Sequence, residues 1–494
     1  MKIKALCICL ALLMLLPLAF YGCAGQSAET EVNTGSDTQP ETQIATEETE
    51  TEAETEVSDE LPEANYKGRT IRVLVVDRGK DDFYTEDHET GDSMHDAVFT
   101  RNLNIAERYG VNFEVIVETE DGASTKLSNS VKAGSDEYDI CFLHMVYGAT
   151  NAMNNDVLAF DELPYVDLSK PWWDKSVSDG FSIENHLMMV NGDISPFSFG
   201  TTACMFFNKK LFDANDFEAP YQLVEDGKWT LDKVNELTKD FSQDKDGDGK
   251  ITTDGSDQFG ITAWFLGLPY AFYYGAGGML VQKDGDDVPY YEMQVERDTN
   301  IYNKIYDIVI TNNANYETQT WNVPGDIFSS GRALMFVGSL NDATRFREMN
   351  DDFGILPIPK YDEAQKEYRS YVDGSSAMIC VPATVKPADR ECISIILEAL
   401  ASESYKVVTP VFVEKMLKRK VTRDSDSAEM IDYVVRNRVF DMGYMYMYNA
   451  IGSYVRELLI SGKNDVASTL KKYEKSTVQR CKQIVKAFEK SYTK

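Results

Sequence analysis

Positive charge is scarce in this chain. Its 494 residues carry 49 Lys and Arg against 81 Asp and Glu, a formal net charge of −32. That balance argues against a broad basic face for nucleic acid or for an anionic membrane. Histidine is scarcer still. His88, His95, His144 and His186 are the whole set, and none stands at metal-ligand spacing. The His-Glu-x-x-His, Gly-x-Ser-x-Gly and Walker A patterns are missing. Beyond Cys7, Cys9 and Cys23 near the N-terminus, only Cys141, Cys204, Cys380, Cys392 and Cys481 remain. Their number is odd and no two are close. No disulfide framework or zinc motif is implied, and they read as small core residues.

What is present begins with a leader. Lys2 and Lys4 precede an apolar run from Ala5 to Phe20, interrupted only by Pro17. The run is short for a membrane span and stands at the N-terminus, so residues 1–22 read as an export signal. Residues 24–63 are rich in Thr, Glu, Ser and Gln and hold 13 acidic residues with no Lys or Arg. Such a stretch cannot bury enough apolar area to offset its ordering entropy. Residues 23–63 therefore read as a disordered, self-repelling tether. Residues 64–494 are the globular body, long enough for large cores.

The body opens with alternating elements. Strand patterns at 69–77, 111–117 and 138–143 are separated by helical patterns at 94–109 and 124–133. That order predicts a doubly wound parallel sheet. Ligands of such sheets sit beyond the carboxyl ends of the strands, which marks residues 77–84 and 144–147 as a potential binding edge. Farther on, Asp244-Lys-Asp246-Gly-Asp248-Gly249-Lys250-Ile251 places acidic oxygens at positions 1, 3 and 5 of a calcium-type loop, with Gly at 6 and Ile at 8. Gly255 stands where a bidentate acid should close the loop, between Asp254 and Asp257. The reading is one structural Ca2+ on Asp244, Asp246, Asp248, Lys250, Asp254 and Asp257, against a plain acidic turn.

One stretch organises the remainder. Phe328-Ser-Ser-Gly331 leads into an apolar run, Ala333 to Val337, which reads as a buried strand broken by Gly338 and Ser339. A helical segment follows, and Phe353-Gly-Ile-Leu-Pro357-Ile-Pro359 forces an extended exit. This F-x-x-G-x-x-x-M and F-G-x-x-P-x-P spacing resembles the family 1 extracellular solute-binding proteins of ABC importers. Cys204–Phe212 and Gly227–Asp232 resemble two further motifs of that family, and Phe20-Tyr21-Gly22-Cys23 resembles a bacterial lipobox. The resemblance implies an α/β, two-lobed Venus flytrap fold, with two doubly wound lobes joined by a hinge. Lobe 1 would take about 66–198 and 375–430, and lobe 2 about 199–374 and 431–494. It further implies a monomer, lipid-anchored through Cys23 on the outer face of a bacterial cell membrane. The protein would capture a sugar or oligosaccharide between its lobes and deliver it to permease subunits, with no catalysis and no nucleic acid. A lipid-anchored glycoside hydrolase, which would need two carboxylates about 5–10 Å apart across a cleft, is the rival from another class. A binding protein for peptide or another polar solute is the rival within the class.

The candidate ligand contacts are Trp172, Trp173, Trp264, Tyr273, Trp321, Arg345 and Asp373. Paired Trp172 and Trp173 in a loop offer indole faces to sugar C–H bonds, against a role as a lid on the core. Trp264 and Tyr273 lie in the stretch that resembles the family's cleft helix, against packing in a lobe. Trp321 sits in a Thr-Gln-Thr-Trp-Asn loop. Arg345, with Asp342, would supply polar contacts, against a solvated helix face. Asp373, at the crossover back to lobe 1, would accept from sugar hydroxyls. Asn208 and Trp229 read as structural.

Overall fold

Three Val- and Ile-rich strands, β1 (Arg69–Val76), β2 (Val111–Glu118) and β3 (Ile140–His144), pair in parallel with β1 in the middle. The connecting helices are set by their ends. Asp92 accepts from the Met94 amide and opens the helix Ser93–Tyr109, which stops at Gly110 with φ 61°. Thr119 accepts from the Gly122 amide, so the next helix, Glu120–Ala133, begins four residues before the expected Ser124. The computed structural model describes residues 57–83, 89–253, 255–264, 267–312, 315–318, 320, 322–413 and 425–492. The leader, Cys23, residues 24–56 of the tether, Asp254 and Trp321 lie outside the described residues.

The chain then builds a second sheet. Its members are β4 (Ala203–Asn208) and β5 (Phe259–Trp264), followed, after a small hairpin of β6 (Gln282–Lys283) and β7 (Pro289–Tyr290), by β8 (Asn315–Thr318), β9 (Ala333–Ser339) and β10 (Phe353–Leu356). The order is β10-β4-β9-β5-β8. A short strand β11 (Ser370–Tyr371) precedes β12 (Ala377–Cys380), which joins the first sheet in the order β12-β3-β1-β2. β11 pairs with β13 (Arg438–Val439).

The two-lobed α/β class is as expected, but neither sheet is wholly parallel. β12 runs antiparallel to β3, and β4 runs antiparallel to both β9 and β10. The reason is connectivity: β4 and β12 are the strands that arrive from the other lobe, and each enters its sheet from the cleft side. The apolar run at 333 also continues through Gly338 and Ser339, so β9 does not break there. A Cβ on Gly338 would come within 2.5 Å of Asp342 Oδ2, so glycine lets Asp342 fold back under the strand end. Asp342 caps the following 3-10 turn by accepting from the Ser339 amide at 2.8 Å.

The two crossovers pair with each other. Thr202 and Val372 form an antiparallel bridge, and the Asp373 amide donates to Thr201 O at 3.1 Å. The C-terminal helices straddle the lobes. Helix Ser425–Arg436 packs on β10, and helix Met442–Tyr446 packs on Met145–Asn154. The last helix, Val466–Tyr492, buries Leu470, Cys481, Ile484 and Phe488. All five described cysteines are buried thiols.

Candidate ligand-binding cleft

Both sheets aim their carboxyl edges at one cleft. β1, β2 and β3 end just before Arg78, Glu120 and at His144, and β5 and β9 end at Trp264 and Ser339. Two chambers open there. One, about 360 Å³, is lined by residues that include Arg78, Phe197, Trp264, Phe336, Asn341, Asp342, Arg345 and Asp373. The other, about 610 Å³, is lined among others by Glu120, His144, Tyr147, Tyr444, Tyr448 and Arg480. Arg78, Trp264, Asp373 and Ser375 line both and form the waist between them.

Asp373 is the best-anchored group at the waist. Its Oδ1 accepts from the Ser375 amide at 2.9 Å and the Ser375 hydroxyl at 2.7 Å. Its Oδ2 accepts from the Tyr371 hydroxyl at 2.9 Å. The Tyr371 and Tyr444 hydroxyls lie 2.6 Å apart, and Tyr444 Oη accepts from the Gly374 amide. This network fixes the carboxylate while leaving Oδ2 a lone pair for a ligand hydroxyl. His144 is equally constrained. Its Nδ1 accepts from the Val146 amide at 3.2 Å, so its Nε2 carries the proton. Nε2 lies 3.8 Å from Glu120 Oε2. Burial pushes the imidazole down to about 4, so at neutral pH it is an uncharged donor. Arg78 Nε lies 3.1 Å from Glu120 Oε1, and the Arg78 side chain is 51% exposed. Burial holds the Glu120 carboxyl above its ordinary value despite that partner. The cleft therefore offers aromatic faces, fixed acceptors and fixed donors, the mixture that uncharged polyhydroxyl ligands require.

The structure gathers only part of the expected contact set. Trp264, Arg345 and Asp373 line the cleft. Arg345 is committed to Asn322 O and Asp326 Oδ1, each at 2.5 Å, so it braces the wall. Tyr273 does not reach the cleft. It is 1% exposed and donates to Asp298 Oδ1 at 3.0 Å in the core of lobe 2. Trp172 and Trp173 do not line it either. Both are buried, and their indole N–H groups donate to the two oxygens of Glu398 at 2.8 and 2.9 Å. Asn208 caps a helix through the Leu211 amide, and buried Trp229 donates to Pro357 O, the structural roles expected of them. Glu120 and the run Tyr444–Tyr448 were not singled out in the sequence. The alternation Tyr-Met-Tyr-Met-Tyr at 444–448 was the available signal for the last.

The acidic loop is a second convergence. Asp244, Asp246 and Asp257 bring carboxylate oxygens within 4.8 Å of one another. Asp257, two positions beyond the usual closing residue, is buried and accepts from the Lys245 and Thr252 amides, each at 2.8 Å. Gly255 at the closing position has a reason: a Cβ there would stand 2.2 Å from Asp246 Oδ2. Asp248 turns instead to the Lys250 amide. Asp246 accepts from the Asp248 amide, which pulls its pKa down, yet burial and the charges of Asp257, Asp248 and Asp244 leave it raised. Such an all-oxygen donor set fits a hard cation.

Residues 104–407 match the family described as bacterial extracellular solute-binding protein. No curated protein sequence matches the chain. Among solved structures, UgpB from Mycobacterium tuberculosis in complex with glycerophosphocholine is similar with a TM-score of 0.56 at 14% identity, over 78% of this chain and 95% of that one. An ABC substrate-binding protein from Listeria monocytogenes in complex with cycloalternan gives 0.53 at 13% identity, over 85% and 99%. A maltose/maltodextrin-binding domain from Bdellovibrio bacteriovorus bound to maltotriose gives 0.51 at 14%, over 86% and 100%. These likenesses are likenesses of fold.

Proposed function

This chain belongs to the bacterial extracellular solute-binding proteins, and from that premise we propose that it captures a sugar or oligosaccharide between its lobes and delivers it to the permease of an ABC importer. The observation that carries the reading is the waist of the cleft. There the anchored Asp373 carboxylate of the crossover faces a chamber walled by Trp264 from the end of β5 and by Arg78 from the end of β1. A ligand gripping all three bridges the lobes and favours the closed state by its differential affinity. Two solved structures of similar fold hold cycloalternan and maltotriose, which supports a sugar or oligosaccharide here. The protein performs no chemistry on its ligand. It acts as a monomer outside the cell, held to the membrane by lipid on Cys23 after removal of residues 1–22. Asp244, Asp246 and Asp257 hold a structural calcium ion, with Asp248, Lys250 and Asp254 completing the loop.

Thermal unfolding against a panel of mono- and oligosaccharides, with calcium or chelator, tests these readings together. A true ligand at about a hundred times its Kd adds about 2.7 kcal/mol. A shift with one glycan recovered intact supports transport binding and names the cargo. Cleavage products move the protein to the hydrolases. No shift with any glycan sends the search to peptides, and a Tm indifferent to chelator removes the calcium.

A further inference from the structure

In a chain of net charge −32, the last helix reverses the sign. Val466–Tyr492 holds seven basic residues, Lys471, Lys472, Lys475, Arg480, Lys482, Lys486 and Lys490, against Glu474 and Glu489. At 100° per residue, Lys471, Lys475, Lys482 and Lys486 fall within about 60° of arc, and with Lys490 they form a row about 28 Å long. All five are exposed, opposite the face that buries Leu470, Cys481 and Ile484. Arg480 points the other way and lines the cleft. Lys471 pairs with Glu474, and Lys472 approaches Glu457 at 3.5 Å. Among the described residues, Lys475, Lys482, Lys486 and Lys490 have no ion pair. Like charges one turn apart repel and weaken a helix, so the bland role of a solvated face would be served better by alternating signs.

We propose that this lysine row is a docking surface for a linear polyanion, a polymer carrying phosphates along its length, outside the ligand cleft. A line of ammonium groups without guanidinium forks suits point-charge contact with successive phosphates. A linear partner is favoured over an anionic bilayer by the rest of the molecule. A flat membrane would have to face a molecule whose overall charge is −32, and any like charge within the Debye length of about 8 Å opposes it, whereas a single strand follows the row alone.

The test uses the full chain, a soluble linear polyphosphate, and inorganic phosphate as the monomeric control, at about 50 and about 200 mM salt. The polymer should bind at least about tenfold more tightly at the lower salt than at the higher, and inorganic phosphate should fail to compete at equal phosphate concentration. The triple variant Lys475→Gln, Lys482→Gln, Lys486→Gln should lose most of the affinity and lower the salt slope by about three. The corresponding Lys→Arg triple should keep both, which separates charge from folding. The proposal is overturned if the Gln triple binds with unchanged affinity and slope. Equal competition by inorganic phosphate, which would mean a single-anion site, also overturns it. So does binding to phosphatidylglycerol vesicles or to polyglutamate with none to polyphosphate, pointing to a membrane or an acidic protein instead.

Discussion

Two tryptophan sites in this protein look alike in sequence and differ in kind. Trp172 and Trp173 sit in a Pro-rich loop of lobe 1, and Trp264 ends a strand of lobe 2. The first pair is sealed, and one carboxylate, Glu398 from the helix Pro387–Glu403, accepts from both indoles. Trp264 is half-buried at the waist of the cleft, beside Asp373. An indole in a loop becomes core when a distant chain segment brings its N–H an acceptor. It becomes a platform when the adjacent sheet edge leaves its face uncovered.

The comparison breaks hardest at Trp172. Trp172→Ala should cost about 3–5 kcal/mol in denaturant unfolding, because it deletes a buried aromatic and strips Glu398 of a donor. Unchanged ligand affinity in the folded remainder would confirm that this pair is structural. Trp264→Ala and Asp373→Asn should do the reverse, weakening ligand binding by about 1–3 kcal/mol in calorimetry with Tm nearly constant. If either lowers Tm by as much as Trp172→Ala, the division between the two sites fails.

Acidity sharpens the contrast. Burial pushes the Glu398 carboxyl up to about 7, against the lowering pull of the two indoles. Its folded pKa exceeds its ordinary value of 4.5, so the folded protein binds more protons between these limits. Stability from this group is full below about pH 4.5 and lost as pH rises through about 7. Glu398→Gln keeps an acceptor but cannot titrate, and Tm measured from pH 5 to pH 8 should fall less steeply than in the parent. An unchanged slope would assign the dependence to Asp82 or Asp193, also pushed by burial up to about 7, or to Asp441, pushed by burial up to about 6. The smallest effect is expected at Arg345. Arg345→Ala removes a partly exposed ion pair with Asp326, and both the unfolding free energy and the free energy of ligand binding should change by under about 1 kcal/mol.

Local pattern made much of the fold legible. The strands β1 to β3 follow from Val and Ile runs, and the helix Ser93–Tyr109 from the helical pattern at 94–109 and from Gly110. The Phe328–Pro359 stretch announced β9 and β10. Strand direction was not legible, because β4 and β12 run against their neighbours only through arriving from the opposite lobe. The cleft was half legible. Asp373 and Trp264 stand at strand ends that chain order marks, and His144 lies on the predicted binding edge. Trp172, Trp173 and Tyr273 were misplaced because their partners, Glu398 and Asp298, are brought to them by tertiary structure alone. Asp257 stands two positions past the usual ligand, since Gly255 must stay small beneath Asp246.

The unequal burial of the tryptophans also makes the molecule its own optical instrument. Trp172, Trp173 and Trp229 are shut away from solvent and hydrogen-bonded to fixed acceptors, so their emission supplies a steady blue-shifted background. Trp264 stands where a ligand would displace water from its ring. Among the described tryptophans, it is through Trp264 that filling or closing the cleft would then be written into the intrinsic fluorescence, without any dye attached.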